Sequence, residues 1–556
     1  MNERRHDTGD TAGHDVARKD FLGTVGKGAG AVAAAGILQR YGATDVFAAP
    51  SPRLSPASTP TTVIYGAYQA PDTLDPGVTG LAASSRILYQ IFEPLVWQLA
   101  GSTTILPGLA TSWHVSPDAK VYTFKLRTGV QFHDGTPFDA HAVKFTFDHI
   151  VDPATKSLSA VSALGPYSHT VVVDSHTVQV VFTQPYAPFL NLLSGVILAP
   201  VSPTAVKKYG ADFGNHPVGT GPFMVQEYVT RDHVTLVRNP HYTWAPAFYG
   251  RQGPAALGKI IWRIIPDDST RMGTLETGET NIVEYLIPQE VARFKAKAKY
   301  KVLFIDAPGS PRVIMLNVAK APTNELAVRQ AMIYAVDQKA IVNAFFKGVY
   351  LPAYTPLEPS TLGYNPALAT MYPFDPAKAK QLLDKAGWTV GSNGMRQRHG
   401  VPLKPLFINQ SGDQFDQVAQ TVQAYMRQVG IDLQLTDQSN PTIFATYNKG
   451  PQNLSEIFYW YNDPSLLYSL YASSQIKSGF NWGHYANAQV DRLLAQGAAT
   501  ADQGKRQALY RQAQQIIMRD AVIIPIQQKR TVIAHDATLQ GLRFTSVTYP
   551  LLYTVR

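Results

Sequence analysis

The sequence predicts an α/β fold of several packed lobes, and three observations carry that expectation. The chain is 556 residues long, too long for one ordinary domain and enough for two to four. Short runs of alternating apolar and polar residues recur as half-buried strands. Between them lie helical segments whose ends are marked by capping residues. Apolar residues make up 45% of the chain and charged residues only 16%. That composition describes a globular protein whose polar surface rests largely on uncharged side chains.

Residues 1–48 read as an export signal peptide. Arg18 and Lys19 precede Phe21 and Leu22, and a weakly apolar Gly/Ala stretch follows. Val46 and Ala48 supply the small residues that suit a signal-peptidase cut after Ala48. The segment resembles a twin-arginine signal with Lys19 in place of the second arginine, and the general secretory route stays open. Lys27 and the glycines interrupt a stretch already short for a membrane span. "GKGAGAVAAAG" lacks the preceding buried strand that a nucleotide-binding glycine loop needs, so that reading is rejected.

Cysteine is absent, which excludes disulfides, thiol catalysis and cysteine-based metal sites, as well as a lipoprotein anchor. The net charge of +9 is scattered with no long Lys/Arg run, so nucleic acid is not an expected partner.

Within the mature chain, "VYTFKLR" alternates as a strand, with Tyr122, Phe124 and Leu126 on one face. Two turns follow, at Thr128-Gly129 and at "HDGT". Asp139 then caps a helix, with Phe138 and Val143 in hydrophobic-staple positions. His133 and Asp134 stand side by side in the second turn, where they could signal catalysis. No HExxH, no GxSxG and no second histidine at ligand spacing accompanies them. Asp134 is expected to bond the turn backbone and His133 to lie at a surface corner.

Further along, "NELAVRQAMIYAVDQKAIVNAFF" reads as one long amphipathic helix with Val328, Met332, Ala335 and Val336 inward. The irregular "LPAYTPLEPSTLGYNP" interrupts the second half. "FDPAKAKQLLDKAGW" opens on Asp375 as N-cap and Pro376, and closes at Gly387. "RQALYRQAQQIIMRD" is a helix leading into the buried strand "AVIIPIQQ".

In this order, "TLDPGVT", "ILYQIFEPL", the long block from "LATSWHV" to "AVKFTF", "HPVGTGPF", "VRNPHYTW", "LNVAKAPTNELAVRQAMIYAVD", "GYNP" and "YANAQVDRLL" resemble the family 5 solute-binding proteins of ABC importers, the dipeptide-, oligopeptide- and nickel-binding type. The resemblance implies a two-lobed clamp of the type II periplasmic-binding-protein form with an extra inserted domain. The implied division is 49–95 for the first part of lobe I, 96–195 for the inserted domain and 196–308 for the second part of lobe I. Residues 309–520 then form lobe II, and 521–556 return to lobe I. It also implies a monomer that encloses a small-molecule or peptide ligand without a cofactor or metal. Delivery would be to the permease and ATPase subunits of a membrane complex, from a periplasmic or extracellular location.

The ligand-binding candidates follow from the same resemblance. Peptide binders carry a stretch like "ADYxDP" whose first aspartate fixes the ligand's ammonium. This chain reads "YWYNDP", retaining Tyr461 and Asp463 but placing Trp460 where that aspartate stands. Gly80 occupies the place of a second ligand-facing carboxylate. Asn481, Trp482 and Tyr68 complete the candidate set. Two other readings remain open at this stage: an ordinary di- or oligopeptide receptor using Asp463 for the amine, and an exported α/β hydrolase, for which no local motif is present.

Overall fold

The computed structural model describes residues 62–411, 415–477 and 479–556; the signal residues Arg18, Lys19, Phe21, Leu22 and Ala48 lie outside them. Three main sheets organise the chain. A seven-stranded sheet runs in the order Tyr300–Asp306, Arg530–Asp536, Ile282–Glu284, Thr62–Ala67, Lys259–Ile264, His233–Arg238 and Phe223–Val229. Its centre is parallel, since Thr62–Ala67 pairs in parallel with strands on both sides. A five-stranded sheet joins Gln434–Gln438, Leu406–Gln410, Leu454–Trp460, Gly309–Leu316 and Ile523–Gln527. A four-stranded antiparallel sheet is built from Ala110–Val115, Val121–Leu126, Thr177–Phe182 and Tyr167–Asp174.

The local rules explain these elements well. Tyr122, Phe124 and Leu126 are buried as the alternation requires. Asp139 accepts from the backbone N–H groups of His141 and Ala142 and so starts the helix Ala140–Val151. Asp375 accepts from Lys378 N–H at the head of Pro376–Lys385. Gly387, beyond the end of that helix, takes a φ of +80°, which a side chain would resist.

Three expectations need correction. The single long helix is two, Leu326–Tyr334 and Gln338–Phe346, although its apolar stripe is buried as expected. Asp337 breaks it, because its carboxylate accepts from Ala340 N–H at 2.9 Å and caps a new start. His133 is not a surface corner. Its Nε2 lies 2.9 Å from the Gly221 carbonyl and its backbone N–H donates to Gly219. That clamps the "VGTGPF" turn, where a Cβ on Gly219 would meet the Ile91 carbonyl at 2.2 Å. Asp134 does bond its turn, through Thr136, and also accepts from Ser202. Finally, Ile523–Gln527 still pairs with Gly309–Leu316 in the five-stranded sheet, beyond the edge expected at 520/521.

The chain therefore passes between the two large sheets twice, at 306–309 and at 527–530. These crossings are bonded to each other. Arg530 reaches Asp306 at 2.8 and 2.9 Å, and Ala307 N–H donates to the Lys529 carbonyl. Gly309 has a φ of +116°, and a Cβ there would lie 2.1 Å from the Tyr459 carbonyl, so only glycine fits this crossing. Two apolar cores flank it, and Tyr461 packs against both.

Candidate ligand cleft

The candidate site lies where the sheets meet, at the C-terminal ends of adjacent strands. In open α/β sheets that is where ligands gather, because the chain ends diverge into loops there. Tyr68 follows Thr62–Ala67, and Glu284 and Tyr285 close the neighbouring parallel strand. Arg86 projects from the helix Ala82–Ile91, nine of whose ten residues are buried. A guanidinium in such a place needs partners. Its Nε pairs with Glu284 at 3.3 Å, and Nη2 donates to the Tyr285 hydroxyl at 2.5 Å. The rings of Tyr68, Tyr285 and Tyr549 surround it at 5.5, 5.1 and 5.1 Å. Burial works against the Arg86 charge, and the Glu284 carboxylate overrides it, holding the guanidinium protonated. Its Nη1 has no partner.

Across the cleft the strand Leu454–Trp460 of the other lobe ends in Trp460. The indole is parallel to the Tyr285 ring within 7°, with centroids 6.5 Å apart, and its Nε1 is buried without an acceptor. Lys529, on the second crossing, places Nζ 5.4 Å from the Trp460 ring and 4.8 Å from Phe458. That ammonium is also buried and unpartnered. Burial pushes it well below the ordinary lysine range, against the pull of Glu358. Burial pushes the Glu358 carboxyl up, while its Oε1 accepts from the Lys529 backbone N–H at 2.7 Å.

The other expected residues divide sharply. Asp463 is wholly buried and fully used. Arg506 grips its two oxygens at 2.6 and 2.7 Å, Asn191 donates at 2.6 Å, and Ser465 N–H adds a fourth bond. Burial opposes ionisation there, and the Arg506 guanidinium overrides it, leaving the carboxyl below its usual range. Asn481 is spent inside its own loop on Ala472 and Tyr485. Trp482 packs in the core of its lobe against Phe444 and Tyr447, with its N–H given to Asn448. Gly80 is buried, its amide held by Asp72. Of the predicted set, the structure brings Tyr68 and Trp460 together around Tyr285 and seats Tyr461 at the lobe junction. Sequence reasoning missed Arg86, Glu284, Tyr285, Glu358 and Lys529. The available signals were a lone arginine in an apolar helix and a lysine directly after a buried strand.

Two lobes hinged by paired crossings, with polar groups left unsatisfied between them, define a protein that closes on a solute. The chain belongs to the bacterial extracellular solute-binding proteins, family 5, whose model matches residues 104–479. It is thus a solute-binding component of an ABC importer. Glutathione-binding protein GsiB of Shigella flexneri is 32% identical over 478 residues, covering 84% of this chain and 89% of that one; the Salmonella choleraesuis protein matches equally. Among solved structures, HbpA2 from Haemophilus parasuis superposes with a TM-score of 0.79 at 26% identity, covering 89% of this chain and 99% of that one. NikA from Brucella suis in complex with Fe(III)-EDTA also gives 0.79, at 28% identity and the same coverage. The periplasmic binding protein DppA from Helicobacter pylori in complex with peptide STSA gives 0.71 at 26%, covering 89% and 98%. Both GsiB relatives are named as binding proteins. Among the described residues, no group of three or more His, Asp or Glu side chains is placed to hold a metal ion.

Proposed function

We propose that this receptor captures a small organic solute or modified peptide whose binding does not depend on a free terminal amine, and returns it chemically intact. The observation that carries this reading is the state of the "YWYNDP" loop. Trp460 stands where a peptide binder's amine-fixing aspartate is expected, and Asp463 is consumed by Arg506 and Asn191. An indole can attract an ammonium by only about 0.5–2 kcal/mol, and it cannot neutralise one. The relatives named for glutathione and the neighbour holding a tetrapeptide support a peptide-like size class. Closure follows because the solute gains contacts from both lobes only in the closed form. Delivery to permease and ATPase subunits, from outside the membrane after removal of residues 1–48, completes the reading. The relatives described as periplasmic and the address-like leader support it.

Calorimetry on paired peptides with free and acetylated N-termini tests the ligand class. The wild-type chain is expected to treat both alike, and Trp460→Asp to favour the free-amine member at least tenfold. A wild-type protein that demands the free amine would sink the reading.

A further inference from the structure

Resting on the receptor reading, we infer that the cleft takes an acidic solute. Its carboxylate, or an equivalent oxyanion, would lie between Arg86 and Lys529, and its flat or apolar part against Trp460 and Tyr285. The buried groups of the cleft differ in which are already satisfied. The acids of the cleft are engaged: Glu284 accepts from the Tyr65 hydroxyl, the Tyr68 N–H and Arg86, and Glu358 accepts from the Lys529 backbone. The donors are not. Arg86 Nη1, Lys529 Nζ and Trp460 Nε1 are buried without acceptors, on residues linked through one another's rings.

A buried polar group without a partner is costly, and a buried ammonium more so. Other orphaned donors, such as Trp97 Nε1 and Tyr471 OH, belong to uncharged side chains. Here, among the described residues, two basic side chains and an indole N–H, from both lobes and a crossing strand, line one run of neighbouring rings. An oxyanion has lone pairs for such donors and would favour the charged form of Lys529, whereas an ammonium would add a like charge beside Arg86. The Gln527 side-chain carbonyl, on the same crossing as Lys529, also lacks a partner. It suits an N–H or O–H elsewhere on the same solute. The parallel Trp460 and Tyr285 rings come from opposite lobes, so a flat group touching both would be held only on closure.

Titration calorimetry should compare acids with neutral partners of the same shape: hippurate with hippuramide, and reduced glutathione with its diethyl ester. In parallel, the protein should be incubated with yeast extract and the retained small molecules identified by mass spectrometry. We expect acids to be retained, and the acid of any binding pair to bind at least tenfold tighter than its neutral partner. Lys529→Met should weaken the acid at least tenfold more than its neutral partner, and Lys529→Arg should restore the preference. Equal binding within a pair, or retention of neutral or cationic molecules alone, overturns the inference while leaving the receptor intact. Retention of nothing, with no pair binding, removes the receptor reading itself and this inference with it.

Discussion

The cleft and the loop frame beside it both bury charge, yet they handle it in opposite ways. In the frame, Asp463 and Arg506 form a bidentate pair, and Asn191, Asn462 and Ser465 close the remaining bonds; Asn462 reaches the Asn191 carbonyl at 2.6 Å. In the cleft, Arg86 and Lys529 each keep an unpartnered nitrogen. A satisfied buried ion pair is part of the scaffold, while an unsatisfied one waits for something. The difference separates two residues that stand three apart in the sequence: Trp460 faces the cleft, and Asp463 belongs to the frame.

The comparison predicts its largest effect at the frame. Asp463→Ala leaves Arg506 buried without its counter-charge, a defect of about 3–5 kcal/mol. Denaturant unfolding should show that loss with no ligand present. A loss below about 1 kcal/mol would mean that the frame is not the structural unit described here.

A smaller effect is expected at His133, whose nitrogens are likewise committed. Burial holds its pKa down to about 4, against the Gly221 carbonyl bond that favours the charged ring. A histidine kept neutral by folding contributes fully above the unfolded value near 6.5, and that share is lost as pH falls from there towards 4. Between pH 6.5 and 5 the loss is about 2 kcal/mol at the usual 1.4 kcal/mol per pH unit. Wild type and His133→Gln, unfolded in denaturant at pH 7 and pH 5, should differ in pH slope by this amount. His484 and His535 are also held down by burial and titrate in both proteins, so the difference isolates His133. Equal slopes would return His133 to the surface role that its turn suggests.

Why the sequence announced one region and hid the other follows from range. Asp139, Asp375 and the strand "VYTFKLR" act on residues within a few positions, and their outcomes were legible. The break at Asp337 was local too, but an aspartate inside an apolar stripe of helical period reads as one polar position until its cap is seen. Partners in the two buried networks lie far apart: Asn191 is 272 residues from Asp463, and Tyr65 is 219 from Glu284. Spacing alone assigns no such partner, so Asp463 and Asn481 kept a possible ligand role until their bonds were visible. Trp460 was found by its departure from a motif. Arg86 and Lys529 sit in no motif and were passed over.

The smallest predicted effect decides the comparison from the other side. Lys529→Met removes a buried amino group that makes no hydrogen bond and replaces it with an apolar chain of similar length. Its nearest acid, Glu358, is pushed by burial towards the protonated form, so little attraction is lost, and Phe458 and Trp460 provide apolar contact for the new side chain. Replacing a poorly paired buried charge with an apolar residue is commonly neutral or stabilising. Unliganded Lys529→Met should therefore unfold within about 1 kcal/mol of wild type, with any change on the stabilising side. A loss above about 2 kcal/mol would show that Lys529 is as structural as Asp463. The contrast between a finished frame and an unfinished cleft would then fail.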